Sequence, residues 1–226
     1  MMAVSYIAPG LFDGDQAPRA WPFGDLTPGA YDLIMADPPW HFRLYSETGE
    51  DKSPQAHYRT MDLDAIAALP VADLARPDCL LWLWATAPML PQQIEIAQAW
   101  GFTFKTSGVW VKTTCNAKIA FGTGYVLRNA HEPFLIATRG EPETSRSVRS
   151  VVMGEVREHS RKPAAAYAAA EKLMPKARRC SLFERELRPG WDGWGDEYGL
   201  PIEPRKRARE RAAETAATGP AEPALI

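Results

Sequence analysis

From Tyr31 onward, short apolar runs alternate with amphipathic stretches, and few folds accommodate such a chain. The runs are rich in β-branched, aromatic or continuously apolar residues, which is typical of strands buried on both faces. Strands that alternate with helices favour a parallel sheet, because the helices make the crossovers and cover the sheet. The sequence therefore predicts an α/β fold with a mostly parallel sheet and helices on both faces. Five strands are predicted, at Tyr31–Ala36, Cys79–Thr86, Thr103–Lys112, Pro133–Thr138 and Ala177–Phe183.

Proline and glycine residues mark the ends of three predicted helices. The third is the clearest, because Pro163 stands at its first position, Ala164–Met174 are strong helix formers and Pro175 ends it. The other two helices are predicted from Asp62 to Pro70 and from Pro91 to Gly101.

Length and composition favour one folded domain. With 226 residues and 46% apolar content, the chain can bury a sizeable core without disulfides. Residues 1–30 are predicted to be an irregular lead-in, residues 31–200 the folded domain, and residues 201–226 a basic, disordered tail. The polar segments Thr113–Asn129 and Gly140–Arg149 are too long for simple connections, so both are candidate binding loops.

Charge and cysteine content exclude several classes of protein. The formal charge of -2 excludes a globally basic surface, so contact with nucleic acid requires a local patch. The three cysteines are far apart and odd in number, which argues against a disulfide framework or a zinc site, and no metal is expected. The longest apolar run, Cys79–Ala85, is shorter than the roughly 20 residues that span a bilayer. Without a signal-peptide pattern, the protein is expected to be cytoplasmic and to have no membrane partner.

The most informative motif is Asp37-Pro38-Pro39-Trp40, directly after the first predicted strand. In parallel sheets ligands bind beyond the carboxyl ends of the strands, so this position favours a functional role. A plain turn is the alternative, because Asp and Pro both favour turns.

These residue types fit alkylation of the adenine amino group. Its nitrogen is a poor nucleophile, since the lone pair is delocalised into the ring, until acceptors hold its two N–H bonds. The Asp37 carboxylate is one acceptor, and the Pro38 carbonyl, held between two rigid rings, is a second. Trp40 is predicted to stack on the base, an interaction worth about 1–3 kcal/mol. The motif therefore predicts a pocket for an extruded or unpaired base.

The motif resembles the catalytic motif of the S-adenosylmethionine-dependent adenine-N(6) methyltransferases. Its Trp-ended form is similar to the family of the catalytic subunit of the messenger-RNA adenine methyltransferase and its bacterial and phage relatives. The resemblance covers about residues 31–199 and implies a Rossmann-like methyltransferase fold with S-adenosyl-L-methionine as cofactor. Its further stretches are His57–Met61, Leu81–Thr86, Val109–Thr113, Arg128–Glu132, His159–Pro163, Leu182–Arg185 and Trp194–Glu197.

The resemblance also implies which residues bind the cofactor. Lys162 stands at the start of a predicted helix, where anions bind well, and is implied to bind the methionine carboxylate; an exposed lysine is the alternative. Arg185 is implied to contact the ribose region. The family usually has an amide where this chain has Asp196, so the role of Asp196 stays open. The full implied set is Asp37, Ser160, Lys162, Arg185, Asp196 and Glu197.

A second implied set contacts the substrate. Tyr58 is expected to border the target base, with core packing as the alternative. Trp110 and Lys112 precede the loop Thr113–Asn129, which in the relatives gates the site and touches nucleic acid; a solvated face is the alternative. The implied substrate residues are Trp40, Tyr58, Trp110, Lys112, Asn129 and His131.

The predicted reaction is direct methyl transfer to N(6) of adenine, with Asp37, Pro38, Pro39 and Trp40 as the catalytic residues. DNA is favoured over RNA as substrate, because the compact form resembles bacterial and phage members. Two alternatives are a methyltransferase acting on a free purine and a catalytically silent subunit that binds nucleic acid, although such subunits typically lack the acid of the motif. The protein is expected to be bacterial or phage-encoded, and monomer, homodimer and heterodimer all stay open.

Overall fold

The computed structural model describes residues 20–41, 60–122, 124, 126–156 and 161–200. Short 3-10 turns at Val71–Leu74 and Ala87–Met89 precede β2 and α2. The helices and strands follow in the order β1 (Tyr31–Ala36), α1 (Leu63–Ala67), β2 (Ala75–Trp84), α2 (Leu90–Ala99), β3 (Thr103–Thr113), β4 (His131–Arg139), β5 (Val151–Glu155), α3 (Ala164–Leu173), β6 (Arg179–Leu182) and β7 (Asp192–Trp194).

Within the described residues, seven strands form one sheet in the order β5-β3-β4-β2-β1-β6-β7. β4 runs antiparallel to both of its neighbours, β2 and β3. Every other neighbouring pair is parallel. The predicted mostly parallel sheet is confirmed, and β4 alone points the opposite way in the described sheet.

Side chains alternate between two cores on opposite faces of the sheet. Leu81 of β2 shares one core with Ile66 of α1 and with Trp100, which follows α2. The next residue, Trp82, lies in the other core with Tyr167 of α3. This alternation is the period of two expected of a strand, and it confirms helices on both faces.

The ends of α2 and α3 lie within two residues of the predicted positions, whereas α1 ends at Ala67, three residues before the predicted Pro70. Gly101 ends α2 at φ +80°; its N–H donates to Gln98 at 2.8 Å, and the Phe102 N–H donates to Ala97 at 3.0 Å. This pairing satisfies the last carbonyls of the helix. Pro163 is an extended residue ahead of α3 and not its first helical residue. Within the described ranges, no helix combines the length and the apolar character needed to cross a membrane.

All five predicted strands are present, with ends that differ by up to four residues. The predictions missed the two strands at opposite edges of the sheet, β5 and β7. The polar segment Gly140–Arg149 leads into β5, and Thr113–Asn129 forms most of the connection between β3 and β4.

Candidate active site

The strand directions bring several predicted site residues to one edge of the sheet. Asp37 follows β1 and Arg185 follows β6, and these two strands are parallel neighbours. The Asp37 N–H donates to the Leu182 carbonyl at 3.2 Å, which ties the ends of the two strands together. Lys112 lies near the carboxyl end of β3. Because β4 runs the opposite way, Glu132 at its start lies at the same edge.

Four charged side chains at this edge form a continuous chain of ion pairs. The Lys162 ammonium lies 2.9 Å from the Asp37 carboxylate and also contacts one oxygen of Glu132. The other Glu132 oxygen lies 2.9 Å from the Lys112 ammonium. The Lys162 ammonium is also 5.2 Å from the ring centre of Trp84. With its side chain only 7% exposed, Lys162 is not the exposed lysine that was the alternative interpretation.

Burial and charge act against each other in this cluster. Burial raises the pKa of Asp37, Lys162 lowers it and Glu132 raises it, so that it stands at about 6. Burial also opposes ionisation of Glu132, but the neighbouring Lys162 and Lys112 lower the pKa of Glu132 overall. For Lys162, burial lowers the pKa, and the two carboxylates outweigh burial and raise it. Lys162 is therefore a cation at neutral pH, and it favours the ionised form of Asp37.

The two prolines of the motif build a tight turn. The Trp40 N–H donates to the Pro38 carbonyl at 2.8 Å, and the Met61 N–H donates to the Pro39 carbonyl at 3.0 Å. A carbonyl oxygen has two lone pairs, so Pro38 keeps one for a further donor. The motif is a turn, as the plain interpretation has it, and the same turn places Asp37 in the charged cluster.

Two tryptophans with expected substrate contacts lie in the cores. Trp40 is 5% exposed, and its indole N–H donates to the Trp84 carbonyl at 3.1 Å. Trp110 is 2% exposed and donates to the Gly154 carbonyl at 2.9 Å. An indole gains most when its rings are buried and its N–H reaches an acceptor, and both residues meet these conditions. Trp40 and Trp110 thus hold core positions in this structure, and contact of either indole with the substrate stays a prediction.

The other predicted cofactor residues lie beyond β6 and β7. Arg185 pairs with Glu197 at 3.2 Å. Glu197 keeps about half of its side chain exposed, and Asp196 is exposed as well. Both carboxylates therefore face solvent at the edge of the sheet where Asp37 lies.

The remaining predicted residues fall into two groups. Tyr58 and Ser160 lie outside the described residues. Asn129 and His131 are exposed, and the Asn129 side-chain oxygen accepts the His131 N–H at 3.1 Å. This is a local contact at the start of β4, and the described contacts do not join either residue to the charged cluster.

Sequence reasoning gave no role to Glu132, which bridges the two lysines. One signal was available: Glu132 directly precedes the apolar segment Pro133–Ala137, and a buried charge is kept only with partners. It also missed Glu184, whose carboxylate accepts hydrogen bonds from α3, β6 and its own loop. Nothing in the local pattern around Glu184 marks this role.

The residues at this edge fit the polar groups of S-adenosylmethionine, which carries an amino-acid end and a ribose diol. An ammonium has three N–H donors, and Asp37 and Glu132 take two of those of Lys162, so the third can meet a carboxylate. Asp196 and Glu197 are exposed acceptors of the kind that hold ribose hydroxyls.

Comparison with known proteins gives consistent results. The MT-A70 family matches residues 31–197. An Arabidopsis thaliana protein named N(6)-adenosine-methyltransferase MT-A70-like is 33% identical over 75% of this chain, which spans 24% of that protein. The human N(6)-adenosine-methyltransferase catalytic subunit METTL3 is 29% identical over 75% of this chain, which spans 28% of it. The type II methyltransferase M.MunI of Mycoplasma sp. is 30% identical over 77% of this chain and 81% of its own length.

The family match begins at the first residue of β1 and ends after β7, so it takes in the whole described sheet. It also contains the four charged residues of the cluster. The chain therefore belongs to the MT-A70 family.

Proposed function

We propose that this chain transfers a methyl group from S-adenosylmethionine to the N(6) amino group of adenine in a nucleic acid, with DNA favoured over RNA. The observation that carries the proposal is the position of Asp37. Its carboxylate stands at the carboxyl end of β1, 2.9 Å from a buried lysine and next in sequence to a rigid prolyl carbonyl. Membership of the MT-A70 family supports the same chemistry.

In this proposal the residues of the chain work mainly by positioning. The Asp37 carboxylate accepts one N–H of the adenine amino group, and the free lone pair of the Pro38 carbonyl accepts the other. When bound, S-adenosylmethionine supplies an electrophilic methyl group on its sulfonium sulfur. Alignment of reacting groups can contribute roughly 7–11 kcal/mol, and no covalent intermediate with the enzyme is needed. The amino proton, which becomes acidic after transfer, leaves to Asp37 or to water.

Lys162 has two tasks in this proposal. It favours the ionised form of Asp37, which is the form that accepts hydrogen bonds. Its remaining N–H and the start of α3 offer a site for the carboxylate of the cofactor. Glu132 supports both tasks, because its contacts with Lys112 and Lys162 hold the two ammonium groups in place.

The preference for DNA rests on the extent of the similarity. The type II methyltransferase of Mycoplasma sp. matches this chain over 81% of its own length. The plant and human N(6)-adenosine-methyltransferases contain the matched part as about a quarter of their length, 24% and 28%. We therefore take the relative that is matched over most of its own length as the better guide to the substrate.

The decisive experiment incubates the full chain with methyl-labelled S-adenosylmethionine and, in parallel, double-stranded DNA, single-stranded DNA, RNA and free adenosine. Nucleoside analysis by mass spectrometry should place the label in N(6)-methyl-2′-deoxyadenosine. Label in RNA alone would overturn the choice of DNA, and label in adenosine alone would overturn the choice of a nucleic acid. Absence of label in all four would overturn the proposed reaction.

Asp37→Ala provides the control for the proposed chemistry. It should abolish transfer while the affinity for S-adenosylmethionine, measured by calorimetry, falls much less. An equal loss of both would show that Asp37 serves cofactor binding and not the transfer step.

A further inference from the structure

The carboxylate of Glu184 receives four hydrogen bonds. One oxygen accepts the Tyr167 hydroxyl from α3 and the Ser181 hydroxyl from β6, the latter at 3.0 Å. The other oxygen accepts the backbone N–H groups of Arg185 at 2.9 Å and Glu186 at 3.1 Å. A carboxylate offers about four acceptor positions, so these four donors occupy all of them. Glu184 therefore has no acceptor position left for a ligand in this arrangement.

The loop that Glu184 holds has an unusual backbone. Phe183, directly before it, has φ +61°, a conformation that non-glycine residues rarely adopt. Such conformations persist where the surrounding contacts enforce them. The hydrogen bonds that the Arg185 and Glu186 N–H groups donate to Glu184 are contacts of this kind, because they fix the chain immediately after Phe183.

The same loop is joined to the segment after β7. The Glu184 N–H donates to the Trp194 carbonyl at 2.9 Å, and the Gly199 N–H donates to the Arg185 carbonyl at 3.0 Å. Gly195 packs so closely that a Cβ there would lie 2.4 Å from the Glu184 carbonyl oxygen. The conformation of the Glu184 loop thus sets the position of the segment that carries Asp196 and Glu197.

We propose that Glu184 is a positioning residue for cofactor binding: by holding its own loop, it presents Arg185 and Glu197 to the ribose region of S-adenosylmethionine. The inference rests on the proposed function, since it assumes that this edge binds that cofactor. The loop holds Arg185 in place for its ion pair with Glu197, in which the guanidinium and the carboxylate lie 3.2 Å apart. Such preorganisation raises affinity because less conformational entropy is lost on binding.

The test measures the affinity of the full chain for S-adenosylmethionine by calorimetry, together with KM and kcat in the methylation assay. Glu184→Ala should weaken binding by about tenfold or more, equivalent to about 1.4 kcal/mol. KM for S-adenosylmethionine should rise while kcat at saturation changes little. Glu184→Gln should restore most of the affinity, because its amide oxygen still accepts the two backbone N–H groups.

Glu171→Gln is the matched control. Glu171 lies on α3 and accepts the Trp191 indole N–H at 2.8 Å, so it is also a half-buried carboxylate in a structural hydrogen bond. It should leave the affinity unchanged even if the melting temperature falls. Should Glu184→Ala fail to fold, Ser181→Ala takes its place, since it removes one of the four donors, and it should weaken binding by about threefold.

The outcomes separate this inference from the proposed function. If the unmodified chain does not bind S-adenosylmethionine, the proposed function fails. If the unmodified chain binds it but folded Glu184→Ala, or Ser181→Ala in its place, binds equally well, the positioning role is overturned. An equal loss in Glu171→Gln would also overturn it, because the effect would then reflect general destabilisation.

Discussion

Lys162 is buried between two carboxylates, and burying these charges has an unfavourable desolvation free energy. Moving charged groups out of water carries a penalty that their mutual attraction repays only with good geometry. Here each of the two carboxylates has a lysine partner, with distances of 2.9 Å at Asp37 and at the Lys112 end of Glu132. Replacing such a cluster with apolar residues is often neutral or stabilising, so stability alone does not account for it. A site that must present an ionised acid at neutral pH does account for it.

The pH profile of methyl transfer should report the ionisation of Asp37. Burial raises the pKa of this carboxyl to about 6. Below that pH the group is protonated and loses the acceptor that the adenine amino group needs, so kcat/KM should rise with pH and reach half of its plateau near pH 6. Initial rates between about pH 4.5 and 8.5, measured with subsaturating nucleic acid, give this rising part of the pH profile, called its acid limb below.

Two variants check the assignment. Glu132→Gln should move the limb to lower pH, because the charge of Glu132 raises the pKa of Asp37. Asp32→Asn changes a carboxylate at the other end of β1, which pairs with Arg76 on the surface, and should leave the limb in place. If the pH of half-maximal kcat/KM were the same in Glu132→Gln as in the unmodified chain, the titrating group would not be Asp37.

At the residue level, sequence reasoning selected Asp37 as a candidate because its motif is local. It also placed Lys162 at the start of a helix, which the structure bears out at Ala164. It could not foresee that Lys162 contacts Asp37 and Glu132, since these contacts join residues far apart in the chain and depend on the direction of β4. The burial of Trp40 was missed for a similar reason: its acceptor, the Trp84 carbonyl, belongs to a neighbouring strand.

Among the elements, the contact between β5 and the start of α3 controls where Lys162 stands. Gly154 of β5 lies against Pro163, the residue directly after Lys162. A Cβ at Gly154 would lie 2.6 Å from the Pro163 Cβ and 3.3 Å from the Trp110 indole nitrogen. Because Pro163 is a rigid ring, an added methyl group there must displace the chain that carries Lys162.

Gly154→Ala should therefore lower both stability and activity. Overpacking of this kind costs about 1–3 kcal/mol, which urea unfolding measures. A displacement of about 1 Å at Lys162 can reduce the transfer rate by about a hundredfold, which the methylation assay measures under conditions where the variant is folded.

Gly190→Ala is the matched comparison. Gly190 has φ +79°, and none of the described residues comes within 4 Å of an added Cβ. The variant bears a backbone cost of about 1–2 kcal/mol without a steric clash. It should lose similar stability and keep its activity. If both variants lost activity equally, reduced stability and not the position of Lys162 would be the cause.

The elements that the sequence predicted are those with strong local patterns. β1 from Leu33 to Ala36 and β2 from Cys79 to Trp84 are continuously apolar and buried, and proline and glycine residues clearly mark the ends of α2 and α3. β5 was missed because it is an edge strand in which Val151 and Met153 are exposed and Gly154 weakens the strand pattern. β7 has only three residues, which is too short for a period of two to be recognised.

Across the whole molecule, acidic and basic charges nearly cancel. The chain has 26 Lys and Arg residues against 28 Asp and Glu residues. The ion-pair cluster is balanced in the same way, with two lysines and two carboxylates. A polyanion therefore has no broad basic surface to bind, and its phosphates must be met at a few places. One group of cations stands apart in the sequence, within residues 201–226 that lie outside the described part: Arg205, Lys206, Arg207, Arg209 and Arg211.

The affinity for duplex DNA should accordingly depend on salt, but moderately. Each phosphate contact contributes a slope of about -0.9 in a plot of log affinity against log salt, so about three to five contacts give a slope of about -2.7 to -4.5. Fluorescence anisotropy with a labelled duplex between about 50 and 200 mM salt measures the slope. Replacing the five cations of the 205–211 segment with Gln should flatten it.

Replacing Lys105, Lys172 and Lys176 with Gln tests whether lysines elsewhere in the chain contribute to the salt dependence of DNA affinity as the 205–211 segment does. Lys105 lies at the amino-terminal part of β3, and the other two lie at or beyond the last turn of α3, all away from the edge that holds Asp37. If phosphates bind only at the edge that holds Asp37 and to the basic 205–211 segment, this variant keeps the slope of log affinity against log salt that the unmodified chain has. A slope near zero in the unmodified chain would contradict phosphate binding altogether, because the release of counterions from a polyanion is unavoidable. A free purine would then be the better substrate, since it reaches the Asp37 carboxylate without bringing a phosphate.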